Sequence, residues 1–383
     1  MTGPDNIPLR PVGVEAAHQH AAAYEAPYRW FIAASLALGI GGGFLLSVLL
    51  PLARAFAWQW GAGVRWLALA QAHGQLQLIG FGGLFAMGMA FRLMPRFSGR
   101  PLAYRALVPA LIPMVASSLI LRSIAQPWSD GALRDAGLIV SAALLLAAGA
   151  AFAAIVGRTL VHRDSRADAT GYFFVLGALG FVAGAVLNLL QVIEMARDGL
   201  PLAPVSNQTA QIFTQQYGFL IMFVSGVGSR AVPTFTGVPR RPNASRVAAV
   251  VLASGVALFA GATLWIAYRS PSTAVARAGD GGLLLTAAAF AMLVWLTGAL
   301  WPSKHRVAAA SQTAFWFVRS AFAWMLVAAV LTAWYGIRAF ADGSMPDLFE
   351  LDAIRHTLTI GVLTMMIVGM VATLLATEPD APP

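Results

Sequence analysis

Two histidines lie within long apolar stretches of the sequence. His73 opens a run that continues to Pro95, and His356 lies near the start of the last run of the chain. Ionisable side chains at membrane depth are costly and usually mark a functional site. If both runs are helices that cross a bilayer in the same direction, the two imidazoles lie at one depth. Two imidazoles from facing helices predict axial ligation of a haem iron by His73 and His356.

Two further residues extend this predicted haem site. Gly80 follows His73 by seven residues, on the same helical face, and Gln77 lies between them. A porphyrin needs a flat surface of small residues, so we expect Gln77 and Gly80 to contact it. The alternative for each histidine alone is a hydrogen bond at a helix end. The other histidines (His18, His20, His162 and His305) are in polar tail or loop sequence and are interpreted as surface residues.

Carboxamide side chains are concentrated in the same predicted leaflet. They are Gln71, Gln75 and Gln77 in the second run, Asn188 and Gln191 with Glu194 in the fifth, and Gln208, Gln211, Gln215 and Gln216 in the sixth. Buried polar groups need partners, so these side chains predict a polar cavity on that side. The alternative is that they hydrogen-bond one helix to another.

The composition requires elements that cross a membrane. Of 383 residues, 58% are hydrophobic and 11% are charged, against about 25% charged in ordinary soluble domains. Continuous apolar runs of about 20 residues predict helices, because the bilayer interior demands internal backbone hydrogen bonds. We predict an all-α polytopic bundle of about ten spans: 28–52, 73–95, 103–124, 132–157, 170–195, 210–233, 245–268, 278–301, 312–340 and 352–376.

The distribution of charge predicts how the chain is oriented in the membrane, and the lack of cysteine excludes several kinds of cofactor attachment. Residues 1–27 form a polar N-terminal tail, residues 28–376 the membrane domain and residues 377–383 a short C-terminal tail. Arginines and lysines are more numerous in the N-terminal tail and after even-numbered spans, which predicts cytoplasmic termini. The net charge of +9 is therefore explained by the orientation of the chain in the membrane and by contact with anionic lipid headgroups, rather than by binding of nucleic acid. The absence of cysteine excludes thiolate ligands and c-type haem attachment.

The sequence contains an internal repeat. Residues 73–101 align without a gap to 211–239, with ten of 29 positions identical, and both copies end in Pro-x-Phe-Ser/Thr-Gly-x-Pro. The last run is a fainter copy, because Gly361 and Gly369 keep the spacing of Gly80 and Gly88. Helices 2, 6 and 10 are thus predicted to be related, in successive four-helix units rather than the inverted halves of many transporters.

At these helices the sequence resembles a known family. The segments His73-Gly-Gln-Leu-Gln-Leu-Ile-Gly-Phe81, Met94-Pro-Arg-Phe-Ser-Gly-Arg-Pro101 and Arg355-His-Thr-Leu-Thr-Ile-Gly361 resemble the NnrS family. That family comprises bacterial inner-membrane proteins that contain haem and copper and act in the response to nitric oxide. The repeats also resemble the catalytic subunit of haem–copper oxidases and nitric oxide reductases, whose helices 2 and 10 ligate the low-spin haem. The resemblance implies that His73 and His356 are the axial ligands.

The resemblance has departures that bear on catalysis. Gln75 stands where the family commonly has a second histidine, and Gln211 and Phe213 occupy the positions where the repeat would place histidines in helix 6. The copper site of the oxidases has no imidazoles here, so copper has weak support. We therefore expect an NnrS-like protein of the bacterial inner membrane with one haem of the b type, acting in the nitric oxide response or in respiratory and denitrification metabolism, with respiratory or electron-transfer partners.

Two alternatives from other classes remain open. One is a cofactor-free permease that uses the amides as the site for a small solute. The other is an assembly subunit associated with an oxidase. An absorption spectrum separates both alternatives from the haem protein.

Overall fold

A computed structural model describes residues 25–160, 169–269, 271–302 and 309–376. In these ranges ten helices are long and apolar enough to cross a membrane, and no strand occurs. They are α1 (Pro27–Ala55), α2 (Gly63–Ser98), α3 (Arg105–Trp128), α4 (Gly131–Leu160), α5 (Ala169–Asp198), α6 (Val205–Thr236), α7 (Pro242–Tyr268), α8 (Thr273–Thr297), α9 (Gln312–Asp342) and α10 (Leu348–Ala372).

The predicted all-α class and the ten spans are confirmed, while several boundaries differ. Helix α2 begins at Gly63, well before the apolar run that starts at His73. Helix α8 ends at Thr297, where Gly298 takes a left-handed conformation with φ of 62°. Hydropathy detects only the apolar part of a helix, so it misses turns that continue among polar residues. Most of the predicted N-terminal tail, all of the C-terminal tail and the four tail or loop histidines lie outside the described residues.

Helix α2 is the centre of the bundle. In its most apolar window 83% of the residues are buried, against 22% in α1. It packs against α1, α3, α4, α6 and α10, whereas most other contacts join helices adjacent in sequence. Because α2 touches both α6 and α10, the three helices that the sequence relates to one another meet inside the bundle.

Three stretches of π-helix occur at matching places in these helices. They cover Leu76–Gly83 of α2, Thr214–Ile221 of α6 and Thr357–Thr364 of α10. Residue for residue, these bounds coincide with the alignment predicted from sequence. The segment of α2 contacts the other two, and it also packs on a fourth π-helical stretch, Gly39–Phe44 of α1. Short π-helical turns are rare and frequently occur at functional sites.

The aligned glycines make matching contacts with the preceding helix. A Cβ atom added to the first glycine of each copy would meet that helix: Gly80 meets Leu38, Gly218 would approach Gly180, and Gly361 meets Trp324. The second glycine of each copy would meet a phenylalanine Cβ: Gly88 meets Phe31, Gly226 meets Phe173, and Gly369 meets Phe317. Small residues let helices approach closely in a membrane. The four-helix pseudo-repeat remains a prediction, which these contacts support.

The shared Pro-x-Phe-Ser/Thr-Gly-x-Pro motif is a helix terminator. Gly99 and Gly237 adopt left-handed conformations, with φ of 67° and 71°. Their amides donate to the carbonyls of Pro95 and Pro233, at 2.9 and 3.0 Å. Only glycine takes this conformation without strain, and a proline two residues later prevents the helix from continuing. The motif thus fixes where α2 and α6 end, opposite the end that carries His73.

Candidate haem site

His73 lies on α2, three residues before its π-helical segment. The side chain is half-buried, and its Nδ1 atom is 2.9 Å from the carbonyl oxygen of Gly43 on α1. A carbonyl can only accept, so the imidazole donates its Nδ1–H across the helix interface. In the neutral ring this leaves the lone pair of Nε2 free to coordinate a metal. Metal-ligating histidines almost always use this arrangement, with the second ring nitrogen bonded to a carbonyl or carboxylate.

His356 lies on α10, immediately before the segment Thr357–Thr364. Its side chain is exposed, and its Nδ1 atom is 2.8 Å from the carbonyl oxygen of Asp352, one turn earlier in the same helix. The same argument assigns the proton to Nδ1 and the lone pair to Nε2. Within the described residues no hydrogen bond reaches the Nε2 atom of either histidine.

The two imidazoles belong to one neighbourhood. The π-helical segments that come after them in α2 and α10 are in contact. Among the described residues no three His, Asp or Glu side chains gather as a metal site. Axial ligation of a haem requires only two imidazoles, so the chemistry of this pair of side chains fits a haem iron.

Gln77 is adjacent to the tether of His73. The side chain is 7% exposed and its Oε1 atom has no partner among the described residues. A Cβ atom on Gly43 would lie 2.8 Å from its Cδ atom, so Gln77 and His73 both pack against Gly43. The unpartnered Oε1 leaves Gln77 with an amide oxygen that could accept a hydrogen bond, and its contact with a porphyrin stays a prediction.

Gly80 lies against other parts of the bundle. A Cβ atom there would lie 3.3 Å from side-chain atoms of both Leu38 on α1 and Leu119 on α3. These two side chains cover the glycine, and its proposed contact with a porphyrin stays a prediction. Its place in the structure indicates a role in close helix packing.

Most carboxamides of the predicted outer leaflet bond helices to one another. Gln71 links three helices, since its Oε1 accepts from Gln126 at 2.6 Å and its Nε2 donates to Gln208 at 2.8 Å. Gln75 donates to the Oε1 of Gln215 at 3.2 Å, which joins α2 to α6 a second time. This is the hydrogen-bonding alternative rather than an open cavity.

The network continues into α3, α5 and α10. Asn188 of α5 accepts from the buried guanidinium of Arg122 at 2.5 Å, and Gln191 donates to Gln211 at 2.5 Å. Gln216 donates to the carbonyl of Arg355 at 2.9 Å, beside His356. These contacts act as interhelical bonds, but they do not satisfy the whole network. Buried amide atoms without a partner among the described residues are Gln75 Oε1, Gln126 Oε1, Gln191 Oε1, Gln215 Nε2 and Gln216 Oε1.

Sequence reasoning missed two residues. Gly43 is one of four glycines within residues 39–43, and nothing in the sequence identifies its carbonyl as the partner of His73. Asp280 was not singled out, although a carboxylate inside the apolar run of α8 is itself a signal of function.

The comparison with known families covers nearly the whole chain. The model of the NnrS protein family matches residues 22–376, and no curated protein gives a match. The matched range includes all ten spanning helices, both histidines and the three π-helical segments. The chain therefore belongs to the NnrS family.

Proposed function

We propose that this NnrS-family protein binds one haem of the b type through the Nε2 atoms of His73 and His356. It would act in the nitric oxide response or in respiratory and denitrification metabolism. Its place would be the bacterial inner membrane, with both termini in the cytoplasm. One observation supports the proposal above the others: both imidazoles donate Nδ1–H to a backbone carbonyl, at 2.9 and 2.8 Å.

Each part of the chain has a definable task in this proposal. Gly43 orients His73 from α1, the helical carbonyl of Asp352 orients His356, and Gln77 offers an unpartnered amide oxygen beside the first ring. A haem held by two imidazoles supplies one-electron redox chemistry when bound. Attachment is non-covalent, because the sequence has no cysteine. Copper is not part of the proposal, because Gln75, Gln211 and Phe213 stand where the resemblance places histidines.

The permease alternative has less support from the same region. The amides that would form its substrate site already bond to one another in the pairs Gln71–Gln208, Gln75–Gln215 and Gln191–Gln211, although Gln75 Oε1, Gln191 Oε1 and Gln215 Nε2 have no partner among the described residues. A solute would have to compete with these bonds.

The test is the absorption spectrum of the full chain purified from haem-replete bacterial membranes. We expect a Soret band and the low-spin spectrum of two axial imidazoles, with a pyridine haemochrome of the b type. His73→Ala and His356→Ala should each change or abolish that spectrum. His305→Ala, a histidine in polar sequence outside the described residues, is the matched control and should leave it unchanged. A colourless wild-type protein that elutes as a single folded species would refute the proposal.

A further inference from the structure

Asp280 is a buried carboxylate without a partner. It lies on α8, is 0% exposed, and neither of its side-chain oxygens has a hydrogen bond within the described residues. Several other acids in the described chain have partners: Glu350 pairs with Arg338, Asp352 with Arg355, and Glu194 accepts from Tyr268. An ionised carboxylate in a dry interior is strongly disfavoured unless a positive charge accompanies it.

A cavity of about 630 Å³ lies at the end of the bundle where α8 begins. It is lined by the start of α6, the end of α7, the start of α8 and the loop between α9 and α10. At about 30 Å³ per water molecule, this space has room for roughly twenty waters. Its rim includes the exposed residues Ser272, Ser344 and Asp347, so it opens to the aqueous side.

Asp280 lies one helical turn beyond the part of α8 that lines this cavity. The lining residue Ala276, here called the floor of the cavity, is 5% exposed, and Asp280 comes four residues later on the same face of α8. Thr263 of α7 also lines the cavity near its buried end, with a hydroxyl that donates to Phe259. One helical turn therefore separates the carboxyl group from a hydroxyl-lined space.

The charged groups around Asp280 already have other interaction partners. Arg277, on the same helix, donates to the carbonyl of Phe340 at 3.3 Å and lies over its ring. Arg338 of α9 is bonded to Glu350 at 2.5 Å. At the rim, the Oδ1 atom of Asp347 accepts from the amide of Glu350.

The titratable groups of the other two helices packed on α8 are also engaged or distant. From α7, Tyr268 donates to Glu194 at 2.7 Å. From α6, Tyr217 stacks on Phe290 at a centroid distance of 5.9 Å, well below Asp280 along α8. No cation of the described residues forms an ion pair with Asp280.

We propose that Asp280 is a proton-binding site that exchanges with the aqueous side through this cavity. The carboxylate takes up H⁺ to form an O–H bond, and it returns the same proton by the same route. This inference does not depend on haem binding, since Asp280 is assigned no contact with either histidine. It gives the protein a second function, the uptake of protons from the side where α8 begins.

The test is infrared difference spectroscopy of the full chain in detergent. At neutral pH we expect the carbonyl band of a protonated carboxylic acid that shifts in deuterium oxide. The band should vanish in Asp280→Asn and move in Asp280→Glu, which also covers the case in which the asparagine variant fails to fold. Asp347→Asn, at the exposed rim, is the matched control and should leave it unchanged. The haem spectrum should stay the same in all three variants.

The cavity makes a separate prediction about exchange. Ala276→Leu fills the floor and should slow the deuterium shift of the band severalfold, whereas Gly281→Ala, where an added Cβ meets nothing within 4 Å, should not. A wild-type spectrum without the band at neutral pH would overturn the proposal. A band that appears only when sodium is removed would assign the carboxylate to a metal cation and would overturn it as well.

Discussion

His73 and His356 are held by the same kind of bond from different places. The carbonyl that accepts from His73 belongs to another helix, at Gly43 of α1, and the ring is half-buried. The carbonyl that accepts from His356 is one turn away in its own helix, and the ring is exposed. The first imidazole is therefore oriented by tertiary structure and the second by local helix geometry. Rigid support determines how well a ligand set is preorganised. His73 should therefore contribute more than His356 to the affinity of the proposed site for haem.

The largest effect is expected from His73→Ala. This variant removes the preorganised ligand. Loss of an outer-shell partner of a metal ligand can lower metal affinity by up to roughly 100-fold. Loss of the ligand itself should lower haem occupancy by at least that factor. The ratio of haem to protein, measured on folded protein, checks this. Retention of a full complement of low-spin haem would reverse the ranking of the two histidines.

His356→Ala should have a smaller effect on binding and a larger effect on spin state. The ligand that remains is His73, still tethered to Gly43, so we expect roughly tenfold weaker binding and a high-spin spectrum. Titration of the apoprotein with haemin, together with electron paramagnetic resonance, separates occupancy from spin. Equal losses in the two alanine variants would remove the distinction between tertiary and local support.

Gly43→Ala tests the tether of His73 without touching a ligand. An added Cβ would lie 2.8 Å from Gln77 Cδ, so the side chain or α1 must shift. Overpacking of about 1 kcal/mol corresponds to a roughly fivefold loss of haem affinity. Gly41→Ala is the matched control on the same π-helical stretch, because an added Cβ there meets nothing within 4 Å. Haemin titration of both variants should show a loss only for Gly43→Ala.

The smallest effect is expected from Asp352→Asn. His356 uses the backbone carbonyl of this residue, and the side chain instead pairs with Arg355 at 2.8 Å. The substitution removes an exposed ion pair worth roughly 0.2–1 kcal/mol and keeps the carbonyl. The Soret band should stay in place while the melting temperature changes little. A spectral shift in this variant would mean that the carboxylate, rather than helix geometry, orients the ring.

Periodicity and composition predicted the membrane-spanning architecture well. Ten apolar runs became ten helices, because the bilayer leaves few other solutions for long apolar segments. The identities between residues 73–101 and 211–239 indicated where related geometry would occur, at Gly80 and Gly218 for example. These features depend on local sequence and on burial, which a single chain displays directly.

The finer parts of the candidate site depend on contacts between distant segments. No pattern identifies Gly43 as the partner of His73, because the acceptor is a backbone carbonyl that every residue possesses. The face on which Gly80 lies was also unpredictable, since a π-helical segment adds residues per turn and rotates the rest of the helix about its axis. The seven-residue spacing from His73 assumed a regular α-helix.

The π-helical stretch of α2 separates the part of the helix that carries His73 from the part that carries Gly88. It determines how the side chains of one part are rotated about the helix axis relative to those of the other. An i→i+5 turn contains one residue more than an α-helical turn. Deleting a single residue within Leu76–Gly83 should convert the stretch to α-helix and leave His73 directed at Gly43, because one residue fewer at about 100° per residue turns the chain through nearly the same total angle. The part of the helix that carries Gly88 would keep its packing contact with Phe31. In this bundle, the π-helical stretch accommodates one additional residue in α2 while the imidazole at one end and the packed interior at the other keep their orientations.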